Sequence, residues 1–182
     1  MKNKLWDMNW CKSGLPGNCN PVIWGDDIVL HDGAGEGLGE HSDEIGYYET
    51  MLTGDFSLTA KLLESERAYF GTAISTGIML RDGVDGDDKM LYFGLASDGE
   101  YHIMIRGEKG GASREIEVVR FSQTEHRWMR LSRNADAVIC AVSRDGEVYE
   151  TVVEVACELP NTVHVGFTSA FKSVYGSVTL SL

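Results

Sequence analysis

The chain has 182 residues, of which 43% are hydrophobic, and a formal net charge of -12. This length suits one domain with a sizeable core, so residues 1–182 are predicted to form a single domain. The acidic balance disfavours nucleic acid and anionic membranes as partners, because affinity for phosphates comes from Lys and Arg. No apolar run approaches the length of a transmembrane helix.

Residues 1–21 show no regular pattern and are predicted to be an irregular segment that packs on the domain. Within it, Cys11 and Cys19 flank a turn-rich stretch, and this spacing is equally consistent with a disulfide and with two reduced thiols. The first residues lack the apolar stretch of a signal peptide. Two locations are therefore open: extracellular, as part of a larger secreted protein, or cytoplasmic if Met1 is a true start.

Alternation of apolar and polar residues dominates after residue 20 and predicts twelve strands. They lie near 27–31, 45–51, 56–62, 74–81, 89–96, 100–106, 115–121, 127–133, 137–143, 148–155, 162–169 and 176–182. A short helix over 60–69 is the one alternative to this pattern. Short, regular spacing without a long amphipathic helix predicts an all-β fold, a two-sheet antiparallel β-sandwich of the jelly-roll type.

The hairpin between the strands near 89–96 and 100–106 has a predicted register. If the apolar residues of both strands face the core, Leu95 must lie opposite Tyr101 and Phe93 opposite Ile103. A three-residue loop, 97–99, produces this pairing, whereas a two-residue turn would shift the register by one residue. We therefore predict the three-residue loop.

The opposite parity of these strands and of the strand before them defines a second, outward face. Its predicted members are Met79, Arg81, Met90, Tyr92, His102, Met104 and Arg106. Two arginines, a histidine, a tyrosine and three methionines are an unusual set for a merely solvated sheet surface. We interpret this face as a shallow groove.

Several segments together resemble a known family. They are Gly54-Asp55 at the start of a strand, Gly77 to Arg81, and Trp128-x-Arg130-Leu131-x-Arg133 followed by Ser143-x-Asp145-Gly146 and Tyr149. Over residues 22–182 the chain resembles concanavalin A-like β-sandwich modules related to the DUF1349 group. Such modules occur alone or appended to secreted bacterial glycoside hydrolases and polysaccharide lyases. The resemblance implies the jelly roll and, for the role, sugar binding.

The outward face has the chemistry that sugar recognition needs. The predicted carbohydrate-binding residues are Arg81, Tyr92, His102, Arg106 and Met79. Tyrosine offers a flat surface to the C–H face of a pyranose, and the other polar side chains offer donors to its hydroxyls or to a uronate carboxylate. The alternative is that these residues pack under a long loop or a neighbouring domain, with Arg81 paired to carboxylates of the acidic stretch 82–88.

The predicted function is a non-catalytic carbohydrate-binding module. It would direct a secreted polysaccharide-degrading enzyme to a plant cell-wall glycan, with pectic glycans as one candidate, so its partners would be a polysaccharide or oligosaccharide and the other domains of that enzyme. No catalytic residues are predicted, because no pair of carboxylates faces one groove. The alternatives are a stand-alone structural or interaction protein of the same fold, and a small jelly-roll lyase.

An acidic run between the strands near 74–81 and 89–96 is the candidate metal site. Asp82, Asp85 and Asp87 carry the oxygen ligands that Ca²⁺ prefers, although their spacing is not that of an EF-hand. A solvated turn is the alternative, and no other cofactor is predicted.

Trp128 and Arg130 share the outward parity of their strand, with Met129 and Leu131 inward. Two roles are open for Trp128: a second stacking platform for sugars, or a packed structural residue.

Overall fold

The structure of the protein is a computed structural model that describes residues 11–14, 21–24, 27–31, 38–65, 75–95, 100–119, 125–170 and 177–181. Side chains are described for 38–62, 76–95, 100–117 and 125–168. The regular elements in these ranges are β1 (Cys11–Gly14), β2 (Pro21–Trp24), β3 (Asp27–His31), β4 (Gly46–Thr53), β5 (Phe56–Ser65), β6 (Ser75–Arg81), β7 (Met90–Leu95), β8 (Tyr101–Arg106), β9 (Arg114–Val119), β10 (Trp128–Asn134), β11 (Ala137–Ser143), β12 (Glu150–Ala156), β13 (Thr162–Ala170) and β14 (Ser177–Ser181).

The strands form two antiparallel sheets. Sheet A has the strand order β1-β4-β13-β6-β7-β8-β9, and sheet B has the order β12-β11-β10-β5-β14-β3-β2. The predicted all-β, two-sheet antiparallel sandwich is confirmed. None of the described residues forms a helix long and apolar enough to cross a membrane.

The twelve predicted strands are confirmed as β3–β14, with small differences at their ends. β5 continues as a strand to Ser65, which rules out the helical alternative up to that residue. The remainder of that alternative, 66–69, lies outside the described residues.

The prediction that residues 1–21 are irregular is wrong for Cys11–Gly14. These residues pair with β4, and Cys11 lies opposite Glu49. A short edge strand obtains its hydrogen bonds from its neighbour and needs no apolar alternation of its own, so the pattern did not indicate it. The Cys11–Cys19 question stays open, because Cys19 and the side chain of Cys11 lie outside what the structure describes.

The main core lies between the two sheets and contains the inward residues that alternation predicts. Leu58, Ala60 and Leu62 of β5 are buried, as are Ile78 and Leu80 of β6. Burial of these apolar surfaces provides most of the driving force for folding.

The predicted register of the β7–β8 hairpin is confirmed. Leu95 lies opposite Tyr101 and Phe93 opposite Ile103, and the rings of Phe93 and Tyr101 lie 5.7 Å apart. The conformation of the loop at 97–99 lies outside the described residues.

Candidate functional site

The middle of the outward face of sheet A is buried. Met79 and Tyr92 are 0% and 1% exposed, and together with Met90, Ile45 and Tyr47 they form a second hydrophobic cluster. The prediction of an open groove is therefore wrong for this part of the face. The physical reason is that the residues leading into β4 pack across it. Strand periodicity shows which side chains share a face, but it does not show that a distant segment covers that face.

Arg81 and Arg106 converge on one carboxylate, that of Asp43. Cross-strand pairing places both arginines opposite Met90, so they lie in the same row of the sheet. Arg106 Nη2 donates to Asp43 Oδ1 at 2.8 Å and its Nη1 donates to Oδ2 at 3.1 Å, while Arg81 Nη2 donates to Oδ2 at 2.5 Å. All three side chains are at most 1% exposed.

The terminal N–H groups of each arginine are thus hydrogen-bonded inside the protein. Arg106 also donates to the backbone carbonyls of Gly86, Asp88 and Gly39, and Arg81 donates to that of Asp85. The predicted use of Arg81 and Arg106 as donors on an open sugar-binding surface does not fit this burial. The alternative, in which Arg81 packs under a loop and pairs with a carboxylate, describes the observed geometry, although that carboxylate is Asp43 and not one of the acidic run.

Sequence reasoning missed the role of Asp43. It lies in a stretch without strand alternation, and nothing local indicates that its side chain reaches the outward face of sheet A. The one available signal was the charge itself, since two arginines on a face that becomes buried require a counter-charge.

His102 is the member of the predicted set that keeps partial exposure, at 18% of its side chain. Its Nδ1 lies 2.5 Å from Glu115 Oε2 on the neighbouring strand β9. His102 and the half-buried Met104 therefore lie beside the buried cluster and do not form a binding surface with Arg81 or Tyr92.

The acidic run between β6 and β7 forms a cluster around a lysine. Lys109 Nζ lies 2.9 Å from Asp85, 3.4 Å from Asp87 and 2.8 Å from Asp88. Hydrogen bonds to Asp88 and Asp85 raise the pKa of Lys109 above its ordinary value, and Lys109 in turn lowers the pKa of Asp85.

This arrangement changes the candidate calcium site. Oxygen atoms of Asp85, Asp87 and Asp88 lie within 4.8 Å of one another, so two of the predicted ligands come together, with Asp88 in place of Asp82. The ammonium of Lys109 already lies among them and balances one of the three negative charges. A divalent cation would have to displace it, which the sequence could not indicate because Lys109 lies in a different loop.

The outward face of sheet B contains a half-exposed group of aromatic, cationic and hydroxyl side chains. We call it the sheet B strip, and its residues are Ser57, Thr59, Lys61, Trp128, Arg130, Ser132 and Tyr149. In the register of β5 and β10, Trp128 lies opposite Lys61 and Arg130 opposite Thr59. The predicted parity of β10 is confirmed, because Met129 and Leu131 are fully buried.

Arg130 is stacked on Tyr149. The guanidinium carbon lies 3.5 Å from the centroid of the tyrosine ring, and Arg130 Nε donates to Thr59 Oγ1 at 3.2 Å. These two contacts fix the plane of the guanidinium. Within the part of the chain that the structure describes, Nη1 and Nη2 of Arg130 have no hydrogen-bond acceptor.

Trp128 is held by the turn after β11. Gly146 has φ of 81°, and a Cβ there would lie 2.7 Å from the indole, so only glycine allows this approach. Asp145 Oδ1 accepts hydrogen bonds from the N–H groups of Glu147 and Val148, which lower the pKa of Asp145 and shape the turn. Lys61 Nζ lies 5.2 Å from the centroid of the Trp128 indole.

The Trp-x-Arg and Ser-x-Asp-Gly segments therefore meet at one place. The turn packs Gly146 on Trp128 and brings Tyr149 under Arg130. Trp128 packs on the turn, as its structural role predicts, and keeps partial exposure; its role as a stacking platform for sugars stays a prediction.

Comparisons with solved structures show similarity over nearly the whole chain. A functionally unknown protein from Saccharomyces cerevisiae has a TM-score of 0.73 at 16% identity, with 98% of this chain and 95% of that chain covered. The carbohydrate binding module CBM66 from Bacillus subtilis has a TM-score of 0.56 at 11% identity, covering 97% and 98%. A legume lectin-like domain from Entamoeba histolytica has a TM-score of 0.58 at 10% identity, covering 95% and 87%.

The chain has the concanavalin A-like lectin/glucanase fold. At these identities the likeness shows the fold alone. No protein-family model matches the sequence, and no curated protein matches it. Lectins, carbohydrate-binding modules and glycoside hydrolases share this fold, so the fold by itself does not select among their functions.

Proposed function

We propose that the protein is a non-catalytic carbohydrate-binding protein and that its ligand contacts the sheet B strip. The observation that carries this proposal is the partly exposed ring of Trp128, held on the sheet face beside the Arg130–Tyr149 stack and among hydroxyl groups. Aromatic rings stack on the apolar C–H face of a sugar, and nearby hydroxyls pair with sugar hydroxyls. Ser57 and Ser132, whose Oγ atoms lie 2.9 Å apart, supply such groups.

The site is also preorganised. Gly146 fixes Trp128, and Arg130 fixes Tyr149, so neither ring loses much rotamer freedom when a ligand binds. Preorganisation of this kind improves affinity because less conformational entropy remains to be lost. The fold supports the same function, since the similar structures include a carbohydrate-binding module and a lectin-like domain.

The absence of catalysis is part of the proposal. A glycosidase needs two carboxylates that face one groove at a defined separation. The acids that come together around Lys109 are paired with its ammonium, and Glu49 pairs with His164 at 2.9 Å. The lyase alternative would use Tyr92 as a proton donor, and burial of Tyr92 disfavours that role.

We further propose that this binding function directs a secreted polysaccharide-degrading enzyme to plant cell-wall glycan. A stand-alone structural or interaction protein of the same fold is the second candidate. The burial of Arg81, Tyr92 and Arg106 favours it, because the face predicted for binding is used for internal packing.

Affinity electrophoresis against pectins, xylans, glucans and fructans tests the proposal. The parent protein should be retarded by at least one glycan, and Trp128→Ala and Tyr149→Ala should each weaken binding to it about tenfold. Tyr149→Phe is the matched control: it keeps the ring under Arg130 and should bind within about twofold of the parent.

Thermal unfolding of each variant would establish that it is folded before its binding is compared. The proposal is contradicted if no glycan retards the parent. It is also contradicted if a folded Trp128→Ala variant binds as the parent does, since the ligand would then lie elsewhere.

A further inference from the structure

We propose that the sheet B strip selects carboxylate-bearing polysaccharides, with Arg130 as the residue that binds the uronate carboxylate and Lys61 as its auxiliary cation. This inference rests on the proposed function and names its ligand class. It rests on a different observation: the two cationic side chains of the strip have no carboxylate partner within the described residues.

Arg130 presents an unused donor edge. Stacking on Tyr149 occupies one face of the guanidinium, and its Nε–H donates a hydrogen bond to Thr59 Oγ1. The terminal N–H groups lie in the plane of the guanidinium and remain available at its edge. A planar carboxylate matches this edge with two parallel hydrogen bonds.

Three other arginines of the described residues differ from Arg130 in this respect. Arg106 and Arg81 share Asp43, and Arg133 donates to the backbone carbonyls of Leu159 and Pro160. Arg130 is thus oriented by one hydrogen bond and one ring contact, but it has no carboxylate partner among the described residues.

Lys61 is the second cation of the strip. It lies next to Trp128 on the adjoining strand, and no carboxylate within the described ranges lies within ion-pair distance of its ammonium. Diagonal positions on neighbouring antiparallel strands are about 7–8 Å apart, so Lys61 and Arg130 can contact one extended ligand.

Acidic side chains are missing from the described outward positions of the three strands β5, β10 and β11, and the nearest outward carboxylate on the adjoining strand is Glu154 of β12, opposite Ile139. The outward positions of β5, β10 and β11 that the structure describes between the strand ends are Ser57, Thr59, Lys61, Trp128, Arg130, Ser132, Ile139 and Ala141. The chain has 28 Asp and Glu against 16 Lys and Arg, yet these positions carry two cations and no carboxylate. This local charge is complementary to an anionic chain, whereas a neutral glycan would not use it.

The rings complete the recognition of a uronate. A uronate ring has an apolar C–H face for Trp128 and a carboxylate that projects from its edge. The ring can therefore lie on the aromatic part of the strip while its carboxylate meets the donor edge of Arg130.

A matched pair of glycans tests this inference: polygalacturonate and its methyl ester, which differ in the charge of the carboxyl group. The parent should bind polygalacturonate about tenfold more tightly than the ester, the effect of one charge-assisted interaction. Carrageenan, a sulfated glycan, tests whether the carboxylate is required. Equal binding to carrageenan would overturn the assignment to carboxylates.

The variants test the residues. Arg130→Gln should weaken binding to polygalacturonate about tenfold and leave binding to the methyl ester unchanged. Lys61→Gln should weaken it about threefold, because a lysine contributes a single flexible charge. Arg114→Gln, the same change of charge on an exposed residue of β9 in the other sheet, is the control and should have no effect.

The outcomes separate the inference from the proposed function. Binding of a neutral glycan through Trp128, without binding of polygalacturonate, would overturn the inference and leave the function standing. If Arg130→Gln does not fold, Lys61→Gln decides: unchanged binding of polygalacturonate by that variant would overturn the inference.

Discussion

The two outward faces of this sandwich carry similar side chains in opposite states. On sheet A, Arg81 and Arg106 lie beside Tyr92 and are buried, with their charges balanced by Asp43. On sheet B, Arg130 lies on Tyr149, is partly exposed and has no internal anion among the described residues. An arginine and a tyrosine on an outward face are therefore compatible with a buried ion cluster and with an open surface. What distinguishes the two is whether another segment of the chain covers the face.

The largest expected effect is a difference between Arg106→Ala and Arg130→Ala in stability. Removing Arg106 breaks a buried ion cluster and should lower the free energy of unfolding by about 3–5 kcal/mol. Removing Arg130 loses a half-exposed stack and should cost about 1 kcal/mol. Urea unfolding measures both, and equal losses would contradict the contrast between the two faces.

Close packing on sheet A predicts the next effect. A Cβ at Gly94 would lie 2.4 Å from Tyr92 Oη and from the carbonyl oxygen of Thr76, so Gly94→Ala should destabilise the protein by about 2–3 kcal/mol. Gly107→Ala is the control, since a Cβ there meets nothing within 4 Å. If the control unfolds as easily as Gly94→Ala, close packing is not the cause.

Alkaline pH should lower the free energy of unfolding through Tyr92, which is buried on sheet A. Burial raises the pKa of Tyr92 above its ordinary value of 10, so the unfolded chain loses that proton before the folded chain does. The stabilisation is complete below pH 10 and decreases as the pH rises above it, by about 1 kcal/mol between pH 10 and 11 for this tyrosine. Urea unfolding at both pH values should show a decrease in Tyr92→Phe smaller by that amount. An equal decrease in the variant and the parent would contradict the assignment of this pH effect to Tyr92.

The smallest expected effect on stability concerns the turn that joins β10 and β11 in sheet B. Ala135 has φ of 51° between β10 and β11, a conformation that glycine adopts without strain. Ala135→Gly should therefore raise the free energy of unfolding by about 0.5 kcal/mol, measured by the urea midpoint. Glycan binding should not change, because the substitution leaves Trp128 and Tyr149 in place. A loss of stability would show that the strain is absent.

Much of the fold could be predicted because its signals are local. Alternation within each strand assigned the inward residues of β5 and β6, and opposing apolar sets determined that Leu95 faces Tyr101. β1 gave no such signal, because its pairing with β4 supplies its hydrogen bonds.

The candidate sites divide in the same way. The sequence by itself determined that Met79, Arg81 and Tyr92 share a face, and that Trp128 and Arg130 share another, since side-chain direction alternates along each strand. It could not determine which face stays open. That depends on Asp43 reaching Arg106 across 63 residues of chain, and on a turn that places Tyr149 under Arg130. Such contacts form between segments distant in sequence or joined by a specific turn, so only the tertiary structure decided that one face is packed and the other is accessible.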